Sequence, residues 1–290
     1  MTKLKIAAAV LCVGSLLACA VGMAASRGFG PVDDSPVAVG ASKSPSGRRA
    51  LSGSADRTLR LWRLPDPPPL RQEDRDRARS KDNLFQIGTA LHNYHSKHKT
   101  FPPAAIYSKD GKRPLLSWRV AILPFLGEGQ LFEQFKRDEP WDSDHNKKLL
   151  EQMPRVFAPV GVKAKGPVTF YQAFVGEEAA FQADKGLRLV DFMDGTSSTA
   201  LVAEAAEPVP WTKPLDLPYD AGKPLPKLGG LFKDHFHALF ADGEVHFVPK
   251  DTRESTLRAI ITPRGGELIE FEFREGGEAP RRKGERDDKK

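Results

Sequence analysis

The amino-acid sequence predicts an α+β fold in which one long N-terminal helix packs on an antiparallel sheet, with additional short helices. Three observations support this class. Apolar residues recur at helical spacing between Asn83 and Pro103, β-branched and aromatic runs follow from Val168 onward, and an Asp-Gly dipeptide at 242–243 separates two alternating runs. A chain of 290 residues can bury a core in a body of about 190 residues with extensions.

The positive charge of the chain is concentrated near its start. The net charge is +6, and residues 1–63 hold nine Lys or Arg against three Asp. The remaining residues therefore carry 35 basic and 35 acidic side chains. Nucleic-acid-binding domains concentrate positive charge on the folded body. A neutral body argues against that function class, and we expect no nucleic-acid partner.

Residues 1–25 have the pattern of an export signal. Two lysines precede Ile6–Ala25, a stretch without any charged residue. Within it Leu16–Cys19 resembles a bacterial lipobox, in which the cysteine is lipidated, so Cys19 is the candidate lipidation site. The same stretch is also long enough to remain as an uncleaved membrane anchor, and ordinary cleavage followed by secretion is the third alternative. All three predict an extracytoplasmic protein: the first two hold it at the membrane in the cell envelope, and the third secretes it.

Residues 26–70 are predicted to form a flexible linker that contains a short β segment. Gly, Pro, Ser and Ala dominate its first part, which cannot bury enough apolar surface to offset its ordering entropy. The stretch 44–65 resembles half of one WD-type propeller blade, with strands at Arg49–Ser52 and Thr58–Leu64. No second copy occurs in the sequence. A propeller needs several repeats, so a relic or a lone hairpin is the expectation.

The globular domain is predicted to span residues 71–270 and to begin with the long helix. Leu84, Ile87, Leu91 and Tyr94 recur at three- and four-residue steps, which places them on one apolar stripe. The charged residues before Asn83 predict that the helix begins in solvent. Proline at positions 102 and 103 then ends it.

Short helices and strands are expected between this helix and the C-terminal hairpin. Periodicity and turn residues predict short helices at Leu115–Leu126, Gln130–Phe135 and His145–Met153, strands at Val156–Val160, Val168–Val175, Leu187–Phe192 and Thr199–Ala203, and a long proline-rich loop over Glu207–Gly230.

A hairpin is predicted over Ala238–Val248. Asp242 and Gly243 supply the two positive-φ positions of a two-residue turn. That turn would place His246 opposite Leu239. The face toward the long helix would then carry Phe240, Val245 and Phe247, and the other face Leu239, Glu244, His246 and Val248 with His237. A last helix at Thr252–Ile261 and a disordered charged tail at 271–290 complete the prediction.

Three motifs resemble the bacterial domain-of-unknown-function 1559 family over about residues 77–267. They are DNLFQIGTALHNYHSKHKTFPPAAIYSKDGKRPLLSWRVAILPFL, FMDGTSSTALVAEAAEPVPW and HALFADGEVHFV. The resemblance implies a fold like type IV pilins or pseudopilins, with Asp242 and Gly243 as the signature turn, and it brings no catalytic residues. The sequence departs from the family in lacking a prepilin leader and in carrying Phe232 where the signature has histidine.

One candidate metal site lies on the predicted hairpin. On the predicted register, His237 and His246 are diagonal neighbours on one face with Glu244 nearby, a set that could hold a divalent cation. A solvated strand face is the alternative. We expect no metal and no cofactor, with these three residues as the candidates to check.

Other constellations are weaker. The helix carries His92, His95 and His98 at three-residue spacing, but no carboxylate lies at a helical offset among them. Four carboxylates, those of Asp191, Asp194, Glu204 and Glu207, could include a glycosidase pair only if the fold brought two together. The tryptophans at 118, 141 and 211 are candidates for exposed partner anchors.

The sequence therefore predicts an exported, membrane-anchored, non-enzymatic protein of the cell envelope. Its role would be structural, or the binding of an envelope protein or glycan. The alternative is an extracytoplasmic hydrolase, dependent on a metal or on carboxylates, that uses the hairpin face with His237 and His246.

Overall fold

The computed structural model describes residues 69–183 and 185–266, together with the backbone of five further strands at 38–43, 49–54, 59–63, 271–272 and 281–282. The chain divides into two compact units, residues 1–69 with 286–290 and residues 70–285. The predicted export leader with Cys19 lies outside the described residues.

The first unit contains a three-stranded antiparallel sheet. Its strands are β1 (Ala38–Lys43), β2 (Arg49–Ser54) and β3 (Leu59–Arg63), in that order. Strands β2 and β3 fall where the sequence predicted a hairpin, and they pair with Leu51 opposite Leu61. Strand β1 lies inside the segment predicted to be a flexible linker, and the prediction missed it.

The second unit combines helices with antiparallel and mixed sheets, which confirms the α+β class. Its helices are α1 (Gln72–His98), α2 (Trp118–Ala121), α3 (Gly129–Gln134) and α4 (Glu254–Ile261). Its strands are β4 (Ala105–Tyr107), β5 (Pro114–Ser117), β6 (Val168–Val175), β7 (Ala200–Pro210), β8 (Leu217–Pro218), β9 (His235–Phe240), β10 (Val245–Pro249), β11 (Phe271–Glu272) and β12 (Arg281–Arg282). Short 3-10 helices span Leu123–Leu126, Asn146–Gln152, Arg155–Phe157 and Leu189–Asp191.

Helix α1 is 27 residues long. Leu84, Ile87 and Leu91 are fully buried, as the apolar stripe requires. The helix ends with Lys99 in the left-handed conformation at φ 68°, and the Lys99 N–H donates to the His95 carbonyl at 2.7 Å. Burial begins at Ser80, before the apolar stripe starts. No helix among the described residues is both long and apolar enough to cross a bilayer.

The main sheet has the order β10-β9-β7-β6-β8, antiparallel except for the β6–β8 pair. One face packs against α1 through Leu239 and Val245. The opposite face buries Phe240 and Val248 with Ile260 of α4. The sheet is therefore covered on both faces, and α1 lies on the face that carries the odd-numbered residues of β9.

The hairpin β9–β10 turns through three residues, and the predicted two-residue turn is wrong. Phe240 N–H donates to the Glu244 carbonyl, so residues 241–243 form the loop. Gly243 has φ 93°, whereas Asp242 is not among the positive-φ residues of the described chain. The extra loop residue moves Leu239 opposite Val245 and His246 opposite Ala238. A one-residue shift exchanges the faces of one strand relative to its partner. The face assignment is therefore right for Val245 and Phe247 of β10, which lie on the α1 side, and wrong for β9, where Leu239 faces α1 and Phe240 faces away.

Several short apolar runs are helical turns where strands were predicted. The run Val156–Val160 begins with a 3-10 helix, and Leu187–Phe192 contains another. Conversely, the first residues of the predicted helix Leu115–Leu126 pair as β5 with β4. Periodicity cannot separate a buried strand from a buried turn in runs this short. Strand β6 has the predicted bounds, and β11 pairs with β12 inside the predicted charged tail.

Candidate functional site

The structure separates the predicted metal candidates on the hairpin. His237 lies opposite Phe247 and His246 opposite Ala238, so the two imidazoles extend from opposite faces of the sheet. Glu244 is exposed near the turn. The three residues therefore form no common site, and in the described residues no group of three His, Cys, Asp or Glu is arranged to hold a metal ion.

His237 instead belongs to a buried line of polar side chains across three neighbouring strands. The register places Tyr171 of β6 opposite Glu204 of β7, and Ala203 opposite Ala238, which brings Glu204 beside His237. Tyr171 and Glu204 are fully buried, and His237 is 5% exposed. We call Tyr171, Glu204 and His237, with Ser80 and Asn83 of α1, the polar row.

Glu204 is the centre of the polar row. Its Oε2 accepts the backbone N–H of His237 at 2.9 Å, and its Oε1 lies 3.0 Å from His237 Nδ1. The Ser80 hydroxyl donates to the same Oε1 at 2.5 Å. Because a carboxylate only accepts hydrogen bonds, Nδ1 of His237 carries the proton. Both oxygens of Glu204 are thus occupied inside the protein.

The polar row continues from Ser80 to the next turn of α1. The Tyr171 hydroxyl lies 2.8 Å from Ser80 Oγ, and the Asn83 amide donates to Tyr171 at 3.2 Å. Since the Ser80 hydroxyl donates its hydrogen bond to Glu204, it must accept from Tyr171. The order of hydrogen-bond donation therefore runs from Asn83 through Tyr171 and Ser80 to Glu204. Burial raises the pKa of Tyr171 well above its ordinary value. Such a satisfied network fixes the position of α1 on the sheet.

The remaining histidine and carboxylate candidates are also dispersed. His95 Nε2 accepts the Leu189 backbone N–H at 3.3 Å, and burial lowers the His95 pKa, with His92 and Lys99 contributing. Asp191 pairs with Arg188 at 3.0 Å. Among the four predicted carboxylates, only Glu204 is buried. The structure therefore assembles no pair of free carboxylates from this set.

The tryptophan anchors predicted at the surface are wrong for two of three positions. Trp118 and Trp211 are fully buried. Trp211 stacks on Phe157 with ring centroids 5.8 Å apart, and its Nε1 donates to the Leu150 carbonyl at 2.9 Å. Trp141 is half-buried against the core. These rings fill the interior, as most large aromatic side chains do.

A buried ion pair that the sequence did not predict joins α2 to the segment before β8. Arg119 Nη2 lies 2.6 Å from Asp216 Oδ1, with the two side chains 0% and 3% exposed. The same oxygen accepts from Trp118 Nε1 at 3.0 Å and from the Ala173 N–H at 2.9 Å. Burial raises the pKa of Asp216, and Arg119 opposes that shift. The sequence did offer one signal of a buried ion pair, because Arg119 is the only charged residue in the apolar run 115–126.

The signature turn has a structural role. Asp242 Oδ1 accepts the Glu244 backbone N–H at 3.0 Å, which holds the loop closed. Gly243 lies against α1: a Cβ built on Gly88 would be 3.5 Å from the Gly243 carbonyl oxygen and 2.7 Å from Leu239 Cδ1. The two glycines let the helix and the hairpin approach closely.

A loop at residues 187–194, which we call the anchored loop, carries two of the five exposed large apolar side chains of the described residues. These are the side chains of Val190 and Met193, which are 77% and 78% exposed. The loop itself is fixed, because Asp194 accepts the backbone N–H groups of Gly265 and Gly266 at 2.7 and 3.0 Å. Further ties run from its Leu187 carbonyl to the Phe101 N–H at 2.8 Å and from Arg264 to the Asp191 carbonyl at 3.0 Å.

Two depressions lie beside the anchored loop. They measure about 420 and 540 Å³ and share Glu177, Gln182 and Arg264 in their walls. Arg264 also contacts Asp191 of the loop at 3.3 Å. Arg264 therefore links the loop to the walls of both depressions.

Comparison with known proteins identifies one family. The family model described as "Protein of unknown function (DUF1559)" matches residues 72–223, just over half of the chain. The match begins at the first residue of α1 and ends before β9, so the Asp242–Gly243 turn lies beyond it. No curated protein and no solved structure matches the chain.

Proposed function

We propose a non-enzymatic binding role for this chain, which belongs to the DUF1559 family of proteins of unknown function. The protein would be exported, held in the cell envelope, and would contact an envelope protein or glycan through the anchored loop. The family assigns no reaction, and the buried carboxylates of Glu204 and Asp216 are occupied by internal hydrogen bonds.

The exposed tips of the anchored loop are the observation that carries this proposal. Large apolar side chains that remain in water on a fixed backbone indicate a contact surface. A fixed loop also loses little conformational entropy on binding. Methionine adapts to irregular partner surfaces, and Met193 is the more exposed of the two tips.

The proposed envelope location rests on the leader pattern in residues 1–25, and Cys19 is the residue to test. Fractionation with and without globomycin, on the native chain and on Cys19→Ser, distinguishes the three forms of export. If the protein is a lipoprotein, the Cys19→Ser variant should be lost from the membrane fraction or should accumulate as the uncleaved precursor. A membrane-bound form indifferent to both treatments supports the uncleaved anchor, and a soluble periplasmic form supports secretion.

We also propose that the body is related in architecture to type IV pilins and pseudopilins. Support comes from the 27-residue helix α1 lying on an antiparallel sheet. Phe232, in place of the signature histidine, argues that the relation stops at architecture. Assembly into a pilus is not part of the proposal.

Site-specific photocrosslinking in living cells tests the binding role. A benzophenone amino acid would replace Met193 in the full-length protein, and in a matched control it would replace Leu215, which is 45% exposed elsewhere on the body. We expect an adduct from position 193 that is lost when Val190→Asp is added, and no adduct from position 215.

The nature of the adduct identifies the partner class. Sensitivity to protease indicates an envelope protein, and sensitivity to a glycan hydrolase indicates a glycan. The binding role would be contradicted if positions 193 and 215 gave the same adducts, or if Val190→Asp left the adduct unchanged in a protein that remains folded.

A further inference from the structure

A second imidazole, that of His235, is enclosed beside His237 on the α1 side of β9. Its ring stacks between Phe232 and Phe247, with centroid distances of 4.8 and 4.1 Å and interplanar angles of 8° and 18°. The His235 side chain is 0% exposed. Its Nδ1 lies 2.7 Å from Asp234 Oδ1, and its Nε2 is buried without a hydrogen-bond partner among the described groups.

This environment suits a neutral ring and opposes a charged one. In the neutral form Nδ1–H donates to Asp234 and Nε2 keeps an unshared lone pair. Protonation would place an N–H on Nε2, which has no acceptor among the described groups. The stacked rings of Phe232 and Phe247 cover the two faces of the imidazole with apolar carbon.

Positive groups reach His235 from two neighbouring elements, and on β9 itself the His237 ring lies 5.1 Å away. From α1, the Arg77 guanidinium contacts Asp234 at 3.3 Å, and Arg77 Nε is buried without a partner among the described groups. After β10, the Lys250 side chain lies beside Gly229 next to the His235 carbonyl. A charge on His235 would therefore be added to an already positive environment.

The negative groups nearby cannot compensate a charged His235. Asp234 is 61% exposed and shared with Arg77. Glu204 of β7 uses both oxygens on His237 and Ser80. Tyr171 of β6 donates within the polar row. Burial accordingly lowers the pKa of His235; the hydrogen bond to Asp234 opposes this shift, and His237 and Arg77 add to it.

We propose that His235 is an acid-sensitive latch, whose protonation in mildly acidic solution releases the Arg77–Ser80 part of α1 from β9. That part of the helix is held by polar contacts and carries the like charge, so its displacement relieves the repulsion. The following part stays docked, because Leu84, Ile87 and Leu91 are fully buried in the core. The latch does not depend on the proposed binding role.

The direction of the pH effect follows from the lowered pKa. The unfolded or released state binds a proton at the ordinary histidine value of 6.5, whereas the docked state binds it only at lower pH. Docking is therefore fully stabilised above pH 6.5 and weakens as the pH falls through the lowered value. One linked proton changes the opening equilibrium by up to about tenfold per pH unit.

Amide hydrogen exchange on the full-length protein tests the latch. Protection factors, corrected for the intrinsic pH dependence of exchange, would be compared between pH 7.5 and pH 5.0 for peptides covering residues 75–83 and 86–98. We expect the first peptide to lose protection by about tenfold or more, and the second to keep it. Equal loss in both peptides, or loss in neither, would overturn the proposal.

Two variants and a control tie the effect to His235. His235→Phe keeps a flat ring in the stack and removes the titrating group, so the loss of protection should disappear. Should that variant not fold, Arg77→Gln removes the like charge on α1 and should reduce the loss severalfold. His98→Gln, an exposed histidine at the end of α1, should behave as the native chain. A full loss of protection in either test variant would contradict the latch.

Discussion

Gly186 lies directly against the main-chain carbonyl of Phe101: a Cβ built on Gly186 would stand 1.5 Å from that oxygen. The neighbouring Phe101 N–H donates to the Leu187 carbonyl at 2.8 Å, so the two segments are fixed at this separation. Only a residue without a side chain allows the contact. The approach joins the end of α1 to the start of the anchored loop.

Substitution Gly186→Ala is therefore expected to destabilise the protein by about 3 kcal/mol or more, because the clash is with backbone and cannot be relieved by a rotamer change. Urea denaturation measures the loss. Gly129→Ala is the matched control, since a Cβ there meets nothing within 4 Å, and it should change stability by less than about 0.5 kcal/mol. Equal effects of the two substitutions would contradict the close contact.

Breaking the buried Arg119–Asp216 pair should be costly. Arg119→Met leaves a buried carboxylate without its cation, with an expected loss of about 3 to 5 kcal/mol at neutral pH. Burial already raises the Asp216 pKa, and removal of Arg119 raises it further. An acid with a raised pKa contributes its full stability below its ordinary value and loses it as pH rises.

The Arg119→Met deficit should therefore shrink as the pH falls from 7.5 toward 4.5, which chemical denaturation at several pH values would show. Asp216→Asn in the same background removes the titrating group and should flatten this dependence. A deficit that stays constant across that range would show that Asp216 is not the group responsible.

The polar row predicts a contrast between two serines of α1. Ser80 bonds Glu204 and Tyr171 inside the core, whereas exposed Ser96 bonds only the His92 carbonyl. Ser80→Ala leaves two buried groups short of a partner and should cost about 1 to 3 kcal/mol. Ser96→Ala should stay within about 0.5 kcal/mol. Thermal denaturation of the pair measures the difference, and similar melting temperatures would contradict the assigned hydrogen bonds.

The lowered pKa of Asp191 predicts part of the loss of stability of the fold in acid. Hydrogen bonds from Arg188, and the charges of Arg188 and Arg264, lower its pKa from 3.8 to about 2. A lowered carboxyl pKa stabilises the fold above 3.8, and this contribution is lost as the pH falls toward 2. Asp191→Asn should flatten the melting temperature in that interval, whereas substitution of the exposed Asp142 by Asn should not. An unchanged slope in the Asp191 variant would contradict the assigned partners.

The sequence pattern correctly predicted the helices and strands that depend on the spacing of apolar residues within one segment. The stripe Leu84, Ile87 and Leu91 lies on one face of α1, and the run Val168–Val175 is β6 at the predicted bounds. The runs at 156–160 and 187–192 were misassigned because apolar side chains can enter a core from a loop as well as from a strand.

The site could not be predicted, because its contacts join residues far apart in the chain. Ser80 and Glu204 are 124 positions apart, and Arg119 and Asp216 are 97 apart. The error on the hairpin had another cause: one additional loop residue reversed the faces of β9 relative to β10, so His237 and His246 could not share a site. Only the register, which the composition of the turn does not determine, distinguishes the two arrangements.

In the loop at 241–243, the number of residues matters as much as their identity, because that number sets the register between β9 and β10. Deleting one loop residue would shift the register by one and exchange the faces of one strand. Either the imidazoles of His235 and His237 would leave the face beneath the helix and Phe240 would enter it, or His246 would replace Val245 on that face. We therefore expect homologous chains to keep the length of this loop, and to carry insertions and deletions in connections that do not set the register of a buried strand.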